Sequence, residues 1–201
     1  MTAAATTPES TSTLPALLRS GASRDEIRSH LERLSDERRV AEATALRGGQ
    51  VKKLYEAVGG GPPLSLDDFA PEGSRQAFVF EGRNSLPTFS SFQKRFARVS
   101  SGQVVGYNHQ AMAFVTGPGF FVVRPADATA DVPDELYFDY TAVPDGFPEG
   151  FPAYKPNDAG LSNLVYKGMK DYMRSVADKV VVGHAFKGGK PQSAYFVLAR
   201  R

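Results

Sequence analysis

Four consecutive residues, Tyr107-Asn108-His109-Gln110, carry the densest hydrogen-bonding chemistry in the chain. They stand directly before an apolar run, Ala111 to Val123, that is interrupted by Thr116-Gly117-Pro118-Gly119. An imidazole titrates near neutrality and moves protons, whereas amides recognise carbonyl and hydroxyl groups. In an extended chain, alternation aims Asn108 and Gln110 to one face and His109 to the other. His184 falls on the same side as Val180, Val182 and Phe186, which reads as the buried side. Two histidines meeting in one cavity would supply a general acid and base. The competing reading is a neutral core histidine held by a tyrosine or a backbone carbonyl. Lys155, within Tyr154-Lys155-Pro156-Asn157, precedes an expected helix whose free amides could help it hold an anion. The candidate ligand-binding set is therefore Tyr107, Asn108, His109, Gln110, Lys155 and His184. No residue is assigned a catalytic role. No metal site or cofactor is expected, since spacing signals no third ligand beside the histidines.

Two other segments resemble functional motifs. Gly183 to Pro191 imitates a phosphate loop, but Pro191 replaces the required Ser or Thr and a strand pattern follows, so a β-turn is expected. Phe89, Phe92 and Phe96 recur at helical spacing among Lys94, Arg95 and Arg98. Aromatics interleaved with cations suit nucleic acid. The same spacing suits a core face with its cations in solvent, and that is the preferred reading. Gly-x-Ser-x-Gly, His-Glu-x-x-His and EF-hand signatures are absent from the sequence.

The elements that would position these residues follow from periodicity. Residues 1–13, rich in Ala, Thr, Ser and Pro, read as a disordered tail. Residues 14–58 read as a helical region. Ser23 and Glu26 form a capping box, Ile27, Leu31 and Leu34 line one face with His30 at its margin, and Ser35 caps a second helix. Val51, Leu54, Tyr55 and Val58 line a third, and Gly59-Gly60-Gly61-Pro62-Pro63 marks the boundary. From residue 64 to residue 201 the pattern becomes that of strands, at 77–81, 104–107, 111–116, 120–124 and 136–141. A Pro-rich loop follows, then a long helix is expected from Leu161 through Leu164, Val165, Gly168, Met169, Tyr172, Met173 and Val176. A final hairpin, 179–186 with 193–199, completes the chain. Helices, then strands joined by short turns, argue for an α+β fold. The expected architecture is short N-terminal helices followed by a curved, mostly antiparallel β-sheet packed against one long amphipathic helix.

Composition limits the function. The chain has 201 residues, a net charge of +2 and no cysteine, which excludes disulfides and thiolate chemistry. Neither a basic leader nor an apolar span is present, so a soluble cytoplasmic protein without membrane insertion is expected. From Asp127 to Glu149 there are seven acidic residues and no basic one, whereas the segment after Ala159 is basic. With 14 Phe and 8 Tyr in a sheet expected to curve, binding of a small amphipathic or anionic ligand between sheet and helix leads the functional readings. The alternatives are an enzyme using His109 or His184 as general acid or base, and an interaction module using its basic face and N-terminal helices. A protein partner on those helices fits the last reading, and nucleic acid is not expected.

Overall fold

Period-two alternation dominates the chain beyond residue 77, and in the structure it closes on itself. The fold is seen in a computed structural model, described for residues 12–87, 90–109 and 117–201. Its strands are β1 (Phe78–Asn84), β2 (Ser91–Arg98), β3 (Val104–His109), β4 (Phe121–Pro125), β5 (Leu136–Asp139), β6 (Met169–Ala177), β7 (Val180–Lys187) and β8 (Lys190–Ala199). All eight pair antiparallel in chain order, and β8 returns to β1 through Gly82↔Leu198 and Arg83↔Val197, making a closed barrel. Closure gives each of the described strands a partner on both sides.

One set of alternating side chains fills the interior. Phe80, Phe96, Phe121, Phe138, Phe196 and Leu198 form a single buried cluster there with Phe69. Phe69 comes from outside the wall. It follows a short 3-10 turn at Leu66–Asp68 and packs its ring 5.0 Å from Phe96 and 5.2 Å from Phe138. The segment is anchored where β2 ends, since Arg98 donates to the Ala70 carbonyl at 3.0 Å.

The outer wall of β6 to β8 is covered by helices α1 (Leu14–Ser20), α2 (Arg24–Glu32), α3 (Asp36–Ala45) and α4 (Gly49–Ala57). Ile27, Leu31, Ala43, Val51, Leu54 and Val58 share a second core with Val176, Val180, Val182, Val197 and Ala199 of the wall. Ser23 and Glu26 make the expected reciprocal cap on α2. Arg39 fastens α3 to the barrel, donating to the Leu31 carbonyl at 3.0 Å and the Asp178 carbonyl at 3.1 Å. The Val51, Leu54, Tyr55 and Val58 stripe that lines the third helix is buried against this wall.

The long helix and the open sheet packed against it are corrected. A five-residue helix, α5 (Ser162–Tyr166), ends before Gly168, whose φ is 69°, and β6 begins at Met169. Leu161 and Leu164, the first two residues of the expected apolar stripe, are exposed. The error has a physical cause. Asp171 and Met173 face the interior while Tyr172 and Val176 lie beneath outer cover, and a strand buried on both faces loses its polar alternation. A bulge between Ser175 and Ala177 shifts the register further. The spacing of the apolar residues then imitates a helix. The same correction applies to Phe92 and Phe96, which lie on strand β2 rather than on a helix. The strand expected at 111–116, most of the expected tail, and Phe89 lie outside the described residues. Strand β4 pairs with β3 and β5, so both its edges are occupied.

Candidate functional site

Strand β2 alternates Phe92, Lys94 and Phe96 toward the interior, so a lysine is carried inside an aromatic barrel. Lys94 is only 3% exposed. Its Nζ donates to Asn108 Oδ1 at 2.7 Å and also to the Tyr140 hydroxyl, and lies 3.3 Å from Asp171 Oδ2. Tyr140 in turn donates to Asp171 Oδ2 at 3.1 Å. Asn108 Nδ2 donates to the Gly119 carbonyl at 3.4 Å, which holds the amide with its oxygen toward the lysine. Strands β2, β3 and β6 and the residue following β5 each contribute one member of the group.

Five rings surround the amine. Nζ stands 4.9 Å from the Phe121 centroid, 5.0 Å from Phe196, 5.1 Å from Tyr140, 5.4 Å from Phe138 and 5.7 Å from Phe92. Three of these rings lie flat on glycines of the adjacent strand, in the pairs Gly82↔Phe92, Gly106↔Phe121 and Gly183↔Phe196. A Cβ at Gly106 would stand 2.5 Å from the Phe121 ring, and one at Gly82 would stand 2.6 Å from Phe92. The missing side chains are what allow the rings to lie against the wall around Lys94.

Burial sets the electrostatics. It holds the Lys94 amine below the usual lysine range, with the Asp171 carboxylate opposing that shift. It pushes the Asp171 carboxyl above the usual carboxylate range and the Tyr140 hydroxyl well above that of an ordinary phenol. All three directions favour the neutral form of each group. The cluster can therefore donate and accept hydrogen bonds and pass protons among three titratable groups.

Tyr140 also joins this group to a surface feature. With Val143, Tyr154, Asn157, Lys167 and Gly168 it lines a cavity of about 260 Å³. Asn157 Nδ2 fastens the cavity wall by donating to the carbonyls of Tyr140 at 2.8 Å and Phe120 at 2.6 Å. Tyr166 of α5 stacks on Tyr140 with centroids 5.3 Å apart and planes within 7°.

Comparison with protein-family models, curated proteins and solved structures finds no match. The site must therefore be read from its own chemistry.

The structure separates most of the residues singled out by sequence. Asn108 alone reaches the Lys94 group. Tyr107 and His109 project to the outside of β3, where Tyr107 packs against Phe120 and Phe151 and His109 is exposed. Lys155 is exposed, next in sequence to cavity residue Tyr154. Gln110 lies outside the described residues. His184 is on the outer face of β7, four strands around the barrel from His109. Its Nε2 donates to the Gln192 carbonyl at 2.7 Å, and its ring stacks on Tyr195 at 4.0 Å and meets Tyr55 edge-on. Burial pushes the imidazole below its ordinary pKa, which favours the neutral form. The anion site expected before the long helix loses its basis, because α5 is only five residues long.

Sequence reasoning missed Lys94, Tyr140 and Asp171. A signal was present at β2, where Phe92-x-Lys94-x-Phe96 fits period two as well as a helical face. Nothing in the local sequence marked Tyr140 or Asp171, because their partner comes from a strand far away in the chain.

Proposed function

We propose that this protein binds a small, largely apolar molecule bearing one oxygen-containing polar group, with the barrel interior at Lys94 as the recognition site. One observation carries the reading: a lysine amine is enclosed by aromatic rings and its polar neighbours are side chains alone. Burying a lysine costs several kcal/mol, and apolar residues of similar volume commonly serve stability as well or better. A barrel already filled with phenylalanine could close over a methionine at this position. The polar group therefore fits recognition better than it fits folding. Eight-stranded barrels are wide enough to be filled by side chains or to hold one small ligand, so the architecture is compatible with this role. Phe69 stops the barrel where β2 ends, and the cavity beside Tyr140 offers an approach from the opposite half. The cavity expected between sheet and helix loses its long helix, and the surface cavity beside Tyr140 is proposed in its place.

The test is a thermal-shift panel of small aromatic and short-chain acids, aldehydes and alcohols, run on wild type and on Lys94→Met. A ligand present at 100 times its Kd stabilises the native state by about 2.7 kcal/mol. For a chain of this size that raises Tm by roughly 5–10 °C. The expected result is such a shift in the wild type and its loss in a K94M protein with unchanged circular dichroism. No shift across the panel, or equal shifts in both proteins, would overturn the reading.

A further inference from the structure

The atoms around Lys94 Nζ do more than complement an oxygen. They are the set needed to make and break a carbon–nitrogen double bond. We infer that Lys94 forms a reversible imine with the carbonyl carbon of an apolar aldehyde or ketone that reaches it from the cavity beside Tyr140. This rests on the ligand-binding reading above and names the ligand class for that site.

Three geometric features support it. Lys94 is the buried lysine among the described residues, and the rings around it exclude the water that keeps surface amines protonated. The Tyr140 hydroxyl touches both Nζ and Asp171 Oδ2, so a proton can pass between amine side and carboxyl side through one phenol. Asn108 Oδ1 accepts from Nζ at 2.7 Å and fixes the direction from which the amine presents its lone pair. The low amine basicity and raised Asp171 affinity for protons agree with this arrangement.

The reaction balances without any further reagent. The Nζ lone pair attacks the carbonyl carbon, and the C=O π pair moves to oxygen, which takes a proton from Tyr140 as Tyr140 is reprotonated by Asp171. The nitrogen then returns one proton to Asp171 through the phenol, leaving a neutral carbinolamine. Protonation of its hydroxyl by the same route expels water while nitrogen forms the double bond. Loss of the remaining N–H proton back to the relay gives the neutral imine. One amine and one carbonyl compound become one imine and one water, with no change in oxidation state.

The experiment uses the full chain with cinnamaldehyde and sodium cyanoborohydride at neutral pH, and peptide mapping of the stable amine adducts. Lys94 is expected to be labelled on the order of tenfold faster than exposed Lys52 and Lys53. Tyr140→Phe and Asp171→Asn should slow the Lys94 adduct while leaving labelling of Lys52 and Lys53 unchanged. Mapping on the wild type needs no variant, so a K94M protein that fails to fold does not prevent a decision. Cinnamyl alcohol, which cannot form an imine, is tested in parallel by thermal shift. Stabilisation by the alcohol without preferential Lys94 labelling would overturn the imine and leave ligand binding standing. Neither stabilisation nor labelling would overturn both. Preferential labelling at Lys94, with or without a shift by the alcohol, supports both.

Discussion

The Lys94 group inside the barrel and the His184 group outside it are built from similar parts and do different things. Each encloses a titratable side chain among aromatic rings, and in each burial favours the neutral form. His184 is satisfied by a backbone carbonyl that is itself part of the fold, and it lies under α4. Its neighbours Tyr55, Arg174 and Glu135 tie helix to wall, with Arg174 donating to Glu135 at 2.6 Å and to the Tyr55 carbonyl at 2.9 Å. Every bond there has a structural beneficiary. Lys94 is instead satisfied only by side chains, two of which titrate: Asn108 is its ladder partner on β3, and Tyr140 and Asp171 reach it across the barrel from the end of β5 and from β6. Whether the interior group serves the fold or a ligand is decided by removing its members.

The comparison breaks most sharply at Asp171. Asp171→Ala leaves the Lys94 amine buried without its acid partner, and a loss on the order of 3 kcal/mol is expected in urea unfolding. Close behind is Gly106→Ala, whose Cβ would also stand 2.9 Å from the Arg95 carbonyl. Overpacking of this kind costs about 1–3 kcal/mol, and thermal denaturation would report it. A double replacement, Lys94→Met with Asp171→Leu, should recover stability to within about 1 kcal/mol of wild type while ligand-induced shifts vanish. Were the double variant as unstable as Asp171→Ala, the interior group would be structural like its outer counterpart. His184→Phe should cost about 1 kcal/mol through its lost hydrogen bond and leave ligand shifts intact.

A separate test of the outer wall concerns alkaline pH. Tyr172 is pushed up to about 12, chiefly by burial, while Asp131 accepts its hydrogen bond at 3.2 Å. A phenol with a raised pKa in the folded state stabilises fully below its unfolded value near 10. That contribution is lost as pH rises through the folded value. Tm should therefore fall between about pH 10 and pH 12, and Tyr172→Phe should make that decline shallower. Equal slopes in the two proteins would show that the outer tyrosines are not linked to folding.

How much of this was legible in the sequence depended on how local the cause was. The Ser23–Glu26 cap, the glycine-rich stop after α4 and the final hairpin are decided within a few residues, and the sequence carries them plainly. Strand β6 was illegible because both of its faces are covered, one by the barrel interior and one by outer elements. Asn108 was singled out for its chemistry, yet its partner Lys94 was placed on a solvated face. The alternation of β2 decides that lysine's direction, and helical spacing concealed it.

By itself, the sequence determined which residues could cap, turn and alternate, because those preferences arise from sterics and hydrogen bonds between near neighbours. The tertiary structure decided that the strands close into a barrel, since closure depends on the register of β8 against β1. It also decided that Lys94, Asn108, Tyr140 and Asp171 meet. Contacts across 46 and 77 positions, from Lys94 to Tyr140 and to Asp171, leave no mark on either local segment. They exist only once eight strands have curved far enough to bring them to one interior.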